Sequence, residues 1–296
     1  MESATVRRPP ALPGLIQVGL ITLLVGLAAG AWLVTNDRMS GMDAGPGTEL
    51  GTLGFFLTTW VVMMAAMMFP STAPMVLMQV RLQEARRERG EEVAAGTTTF
   101  FVGGYLLAWA AAGLLGYALF DLGRSLTGDF FAWDNAGQYL AAGILIGAAV
   151  YQLTPLKDVC LRHCRSPFSF LIHHWRPGGT GALRMGAVHG GWCVGCCWAL
   201  MTALFALGVM SLGWMAFVAA LIAAEKLLPR PEIINRGIAV LLAVLAIGLA
   251  IAPANVPGLT VPGSPDAMKA MQSMDGGSMS DGAMKGDSMQ GDDSMP

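Results

Sequence analysis

Apolar residues run along this chain in seven long stretches separated by short polar segments. The stretches fall at roughly 12–34, 51–78, 97–120, 136–153, 183–209, 213–228 and 234–252. Runs of this length, almost free of charge, predict membrane-crossing helices. The expected fold class is all-α, a polytopic transmembrane helix bundle of about seven spans. Pro70 and Pro74 lie inside the second stretch and predict a kink or an early end there. The polar segment 79–96 that follows could continue as a polar helix. The fourth stretch is rich in Gly and Ala, which suits close helix packing. Residues 154–182 read as the longest internal loop, with Ser166 to Trp175 as an interfacial segment. Arg7 and Arg8 before the first stretch, and small residues within it, are features shared with a signal peptide. The run exceeds a signal core, so an uncleaved first helix is expected.

Charge turns this pattern into a topology. Of 296 residues, 54% are hydrophobic and only 13% charged, and the net charge of −2 offers no case for nucleic-acid binding. With the N-terminus inside, the inner segments hold Arg7, Arg8, Arg81, Arg86, Arg87, Arg89, Lys157, Arg162, Arg165, Arg176, Arg184, Lys226, Arg230 and Arg236. The outer segments hold only Arg38, Arg124, Lys269 and Lys285. Positive charge gathers on the cytoplasmic side of a membrane protein. The expected domains are therefore a cytoplasmic N-terminus (1–11), a transmembrane helical domain (12–252) and an extracytoplasmic tail (253–296). The expected location is the cell (inner or plasma) membrane, with lipid as the surrounding partner.

The fifth span carries unusual chemistry. It contains MGAVHGGWCVGCCWALM, Met185 to Met201. At 100° per residue, His189, Cys193, Cys196 and Cys197 fall at about 0°, 40°, 340° and 80°, and Met185 joins them one turn earlier. Imidazole, thiolate and thioether are ligands that a soft cation such as Cu(I) prefers. Ionisable groups in a span usually face the bundle and mark a site. A single buried Cys would read as a small apolar packer; a His and three Cys on one face read as a metal site. Cys193 and Cys196 also form a CxxC pair, so a thiol–disulfide redox role stays open.

Sulfur recurs elsewhere. Met63, Met64, Met67, Met68, Met75 and Met78 lie within sixteen residues of the second span. They read equally as packing and as a thioether ladder. In the tail, Met274, Met279, Met284, Met289 and Met295 recur at five- and six-residue spacing between aspartates. That composition builds no core and is disordered when free, yet thioethers remain Cu(I) ligands in an oxidising compartment. Cys160, His163 and Cys164 sit close together in the inner segment, with His173 and His174 beyond them. That spacing is compatible with a small Cu or Zn site but is no standard finger, and loop packing or anchoring is the simpler reading. Glu225 reads as an ion-pair or interfacial group near Lys226 rather than as a ligand.

No Ser/His/Asp set, phosphate-binding glycine loop or paired carboxylates stand out, so no enzyme activity is expected outside the redox alternative. The stretches HGGWCVGCCWALM, GVMSLGW, EKLLP, WVVMMAAMMFPSTAP and LKDVCLRHCRSP resemble a prokaryotic family of predicted metal-binding integral membrane proteins, members of which are sometimes labelled copper chaperones. The resemblance covers roughly 50–235. It implies metal-handling roles for Met63, Met64, Met67, Met68, Cys160, Cys164, His189, Cys193, Cys196 and Cys197, and it raises Cys160 and Cys164 above loop packing. The expected function is Cu(I) binding with transport or delivery, with zinc and silver as alternative ions. An extracytoplasmic cuproprotein or copper chaperone is the expected partner. The rivals are the redox protein and an assembly scaffold without metal.

Overall fold

The computed structural model describes residues 14–39, 52–94, 96–127, 136–208 and 211–261, together with 264, 265, 267 and 268. These residues form nine α-helices and no strand. In chain order they are α1 (Gly14–Met39), α2 (Leu53–Glu88), α3 (Thr97–Thr127), α4 (Gln138–Gln152), α5 (Pro155–Arg165), α6 (Pro167–His174), α7 (Gly178–Leu207), α8 (Leu212–Leu227) and α9 (Pro231–Ile251). Each predicted span coincides with a helix. Five of them, α1, α2, α3, α7 and α9, are long and apolar enough to cross a membrane. At 15 and 16 residues, α4 and α8 rise only about 23–24 Å, less than the roughly 30 Å of a hydrocarbon core. Together α4 and α5 are long enough for one crossing, but they meet at a bend of 67°.

The prolines do not end the second helix. α2 runs for 36 residues through Pro70 and Pro74, and its arginine-rich end is the continuation that the polar segment allowed. Near the prolines, the hydroxyls of Ser71 and Thr72 donate back to the carbonyls of Met68 and Phe69, at 2.9 and 3.2 Å. These local bonds give the two hydroxyls partners inside a buried, apolar stretch of helix. At 1.5 Å per residue, α2 reaches about 54 Å, well over the roughly 30 Å of a hydrocarbon core.

The segment 154–182 is not a loop. It holds α5, α6 and the first turn of α7. The start of α5 follows local rules: the Thr154 hydroxyl accepts from the Lys157 backbone N–H at 3.3 Å, and Pro155 occupies the first turn. Pro167 starts α6 in the same way. The inward face of α5 is short, with Lys157, Cys160 and Leu161 buried, and offers no long apolar run for a hydropathy reading to find.

The closest helix crossing is that of α3 with α7, and small residues make it. A Cβ at Gly186 would collide with the Phe101 carbonyl, and one at Gly104 with the Leu183 carbonyl. At Gly190 an added Cβ would lie 2.6 Å from the Cβ of Ala108. Small residues spaced four apart let apolar helices touch backbone to backbone. Gly186→Ala is therefore expected to cost roughly 1–3 kcal/mol through overpacking. Gly191→Ala, with nothing within 4 Å, is the control. Equal thermal midpoints for the two variants in detergent would contradict this account of the crossing.

After α9 the chain turns back onto the bundle. Val256 is buried, and the Trp214 indole donates to the Gly258 carbonyl at 3.0 Å.

Candidate metal centre

Four helices converge on the cysteines of α7, so the site is built from five. Close contact with α3 sets Tyr105 beside Cys193, its hydroxyl 3.1 Å from the Cys193 sulfur. From α5 comes Cys164, with its Sγ 3.6 Å from that of Cys196. From α8 comes Lys226, whose Nζ lies 3.0 Å from the Cys193 sulfur. The same ammonium reaches Ser71 Oγ at 3.5 Å and Met68 Sδ at 3.9 Å, both on α2. Cys193, Cys196, Cys197, Met68 and Lys226 are all buried.

The Sγ atoms of Cys164, Cys193 and Cys196 lie within 4.8 Å of one another, the one group of three His, Cys, Asp or Glu ligand atoms so close among the described residues. A metal about 2.3 Å from each of three sulfurs needs them roughly 4 Å apart. The donor set is therefore of the right size and softness for a thiophilic ion. All five cysteines are free thiols. The Cys197 sulfur sits 3.3 Å from that of Cys196, at the edge of the group.

A second buried polar group supports the first. On α8, the Glu225 carboxylate accepts from Lys157 of α5 at 2.7 Å and from the amide of Gln152 on α4. Lys157 also donates to the Cys196 carbonyl. Both ends of the Lys157–Glu225 pair are almost wholly shut off from solvent. Arg165 on α5 donates to the carbonyls of Glu225 and Leu228, which ties α5 to the C-terminal end of α8 where carbonyls are otherwise unpaired. This polar frame holds α5, and hence Cys164, against α7.

The sequence-based candidates separate into those the fold gathers and those it does not. Cys193, Cys196 and Cys197 share the face that helical geometry predicts, and Cys164 joins them. His189 lies one turn away, boxed by the rings of Phe101, Tyr105 and Phe170 at 6.0, 5.9 and 5.2 Å. Its ring is buried, and Nδ1 has no hydrogen-bond partner. Cys160 packs its sulfur against Gly195 and stays outside the three-sulfur group. Met63, Met64 and Met67 are buried in the same core as the cysteines, and Met68 comes nearest to the site through Lys226. Met274, Met279, Met284 and Met289 lie outside the described residues. Glu225 pairs with Lys157 rather than with its neighbour Lys226. Lys226 and Tyr105 are the site residues that sequence reasoning missed. A lysine inside an apolar stretch was the available signal for one of them; nothing in the local sequence pointed to the other.

Five helices are long and apolar enough to cross a membrane, and a buried cluster of soft donors among the helices could hold a thiophilic metal ion. The chain belongs to the PpoB2 family, described as a copper chaperone, whose model matches residues 57–249. That match spans α2 to α9 and leaves out the Met-rich tail. No curated protein and no solved structure matches the chain.

Proposed function

We propose that the protein binds Cu(I) at Cys164, Cys193 and Cys196 inside the membrane and takes part in its transport or delivery, with an extracytoplasmic copper protein or chaperone as partner. The observation that carries this reading is the mutual approach of the three sulfurs within 4.8 Å. In this reading the chain crosses the cell membrane seven times, with the N-terminus inside and the tail outside, as the distribution of Lys and Arg favours. Met63, Met64, Met67 and Met68 line the approach from α2. Cys197, Cys160 and His189 flank the centre, and the unpartnered Nδ1 of His189 is a further soft-metal contact on the inner side. Met274, Met279, Met284 and Met289 serve as the outer collection or release point. Thioethers bind Cu(I) weakly and repeatedly, which suits transfer rather than storage.

The test is the metal content of purified protein after anaerobic loading with Cu(I) or Zn(II). Wild type is expected to retain copper. Replacing Cys164, Cys193 and Cys196 together by Ser is expected to remove the intramembrane share, and a chain ending at Gly263 to lose only the tail's share. Wild type that holds no stoichiometric copper, but forms a reversible Cys193–Cys196 disulfide, would move the assignment to redox chemistry.

A further inference from the structure

His189 is only 2% exposed, and its Nδ1 has no hydrogen-bond partner. An unpaired polar atom in such a place costs about 1–3 kcal/mol, and an ion is one of the partners that such atoms await. Its nearest neighbours offer no relief. They are the rings of Phe101, Tyr105 and Phe170, and the one hydroxyl among them, that of Tyr105, lies against the Cys193 sulfur. Phe101 and Phe170 belong to one buried cluster with Met75 of α2 and Met185 of α7, and Met78 packs at its border. Met75 and Met185 are 2% and 1% exposed. Met185 precedes His189 by four residues on α7 and shares its face. Helix side chains lean toward the N-terminus, so the His189 ring lies over the turn that carries Met185.

This group is separate from the three sulfurs. Met68 and Cys193 meet at the Lys226 ammonium and share a second cluster with Cys196 and Cys197. Met75 and Met185 share the first. Residue numbers rise along α2 as they fall along α7, so the two helices run antiparallel. Seven residues of α2, or eight of α7, part the two levels, a distance of about 11 Å. His189 stands between them with its ring toward Met185. The distribution of Lys and Arg puts this level on the inner side of the cysteines.

A thioether serves equally as packing and as ligand; the unpaired nitrogen beside these two decides for the ligand. Imidazole and thioether are both neutral donors. Glu225 is the one buried carboxylate among the described residues, and it pairs with Lys157. With no negative group to offset it, a divalent cation would bring two uncompensated charges into an apolar interior. A soft monovalent cation brings one and prefers nitrogen and sulfur.

We propose that His189, Met185 and Met75 form a second site, for a soft monovalent cation such as Cu(I) or Ag(I), on the inner side of the cysteine centre. Its place on a copper route rests on the copper reading above; its ligand set does not. Nδ1 gives its lone pair while the ring proton stays on Nε2, so no proton is released and nothing is oxidised or reduced. The long, unbranched methionine side chains bring their sulfurs to the ion without a shift of the backbone. Thiolates carry negative charge and these donors do not, so the cysteines fill first.

Full-length protein in lipid nanodiscs, isotope-labelled at its histidine nitrogens, allows the test by magnetic resonance, with Ag(I) as the probe. Ag(I) beyond the share taken by the cysteines is expected to move the His189 ring signal, identified by its loss in His189→Phe. Met75→Leu with Met185→Leu keeps the volume of the core and is expected to raise the Ag(I) needed for that shift at least about ten-fold. Zn(II) is expected to leave the signal in place. A His189 signal that ignores Ag(I), that responds equally in the leucine variant, or that responds as strongly to Zn(II), overturns the proposal. The ultraviolet absorption of metal-bound thiolates reports the cysteine centre in the same titration. If that absorption rises while the His189 signal stays still, the second site fails and the copper reading stands. If His189 responds while the thiolate absorption never appears, the copper reading fails at the cysteines and the second site stands.

Discussion

Glu225→Ala is expected to lower the stability of the folded bundle by about 3–5 kcal/mol. The carboxylate it removes accepts from both Lys157 and Gln152 in a region closed to solvent. Without it the Lys157 ammonium is left buried with only the Cys196 carbonyl as a partner. An uncompensated buried charge is far more costly than the intact pair is favourable. Replacing both members, Lys157→Met with Glu225→Leu, is therefore expected to recover most of the loss. The comparison is a denaturation midpoint in mixed micelles for wild type, the single variant and the double variant. If the double variant is as unstable as the single one, the pair supports the fold through something other than its charge balance. Because this pair also seats α5, the single variant is expected to loosen Cys164 and to weaken metal retention alongside stability.

Lys226→Met is expected to have the opposite profile, with little cost in stability and a large cost in copper. Lys226 touches Cys193, Ser71 and Met68 and has no carboxylate within ion-pair distance among the described residues. Three thiolates and Cu(I) sum to two negative charges, and the Lys226 ammonium beside Cys193 reduces that to one. A net charge inside a bundle of apolar helices is costly. Without the lysine, Cu(I) is expected to be held at least about ten-fold less tightly, or about 1.4 kcal/mol. Lys226→Arg is expected to keep much of the affinity. Competition for Cu(I) against a chromophoric chelator reads the difference directly. Binding in the methionine variant as tight as in wild type would show that the ammonium is a bystander.

The helical class was plain in the hydropathy of the chain, because a membrane-length apolar run leaves few structural choices. The face shared by Cys193, Cys196 and Cys197 was equally plain, because helical periodicity alone sets it. Cys164 was raised above loop packing only by the family resemblance. Its approach to Cys196 depends on a 67° bend after α4, and no local pattern encodes a bend between two short helices. The Thr154–Pro155 start of α5 has a helix cap in the structure, but a short helix with a narrow apolar face reads as loop in hydropathy. His189 shows the limit of periodicity. It shares the face but stands a full turn from Cys193, so the rings of Phe101, Tyr105 and Phe170 surround it instead of the sulfurs. Lys226 and Tyr105 reach the site through tertiary contacts between helices far apart in sequence.

The gathering of the site from five helices also bears on how the chain is made. Met68, Tyr105, Cys164, Cys193 and Cys196 emerge from the ribosome in that order, and Lys226 emerges last. A chain halted before α8 holds every sulfur of the centre but lacks both the ammonium beside Cys193 and the carboxylate that anchors Lys157. Its cysteines lie on a helix whose neighbours are not yet fastened. Under the copper-binding proposal, tight metal capture thus becomes a property of the finished protein, and a half-built chain is a poor trap for the metal.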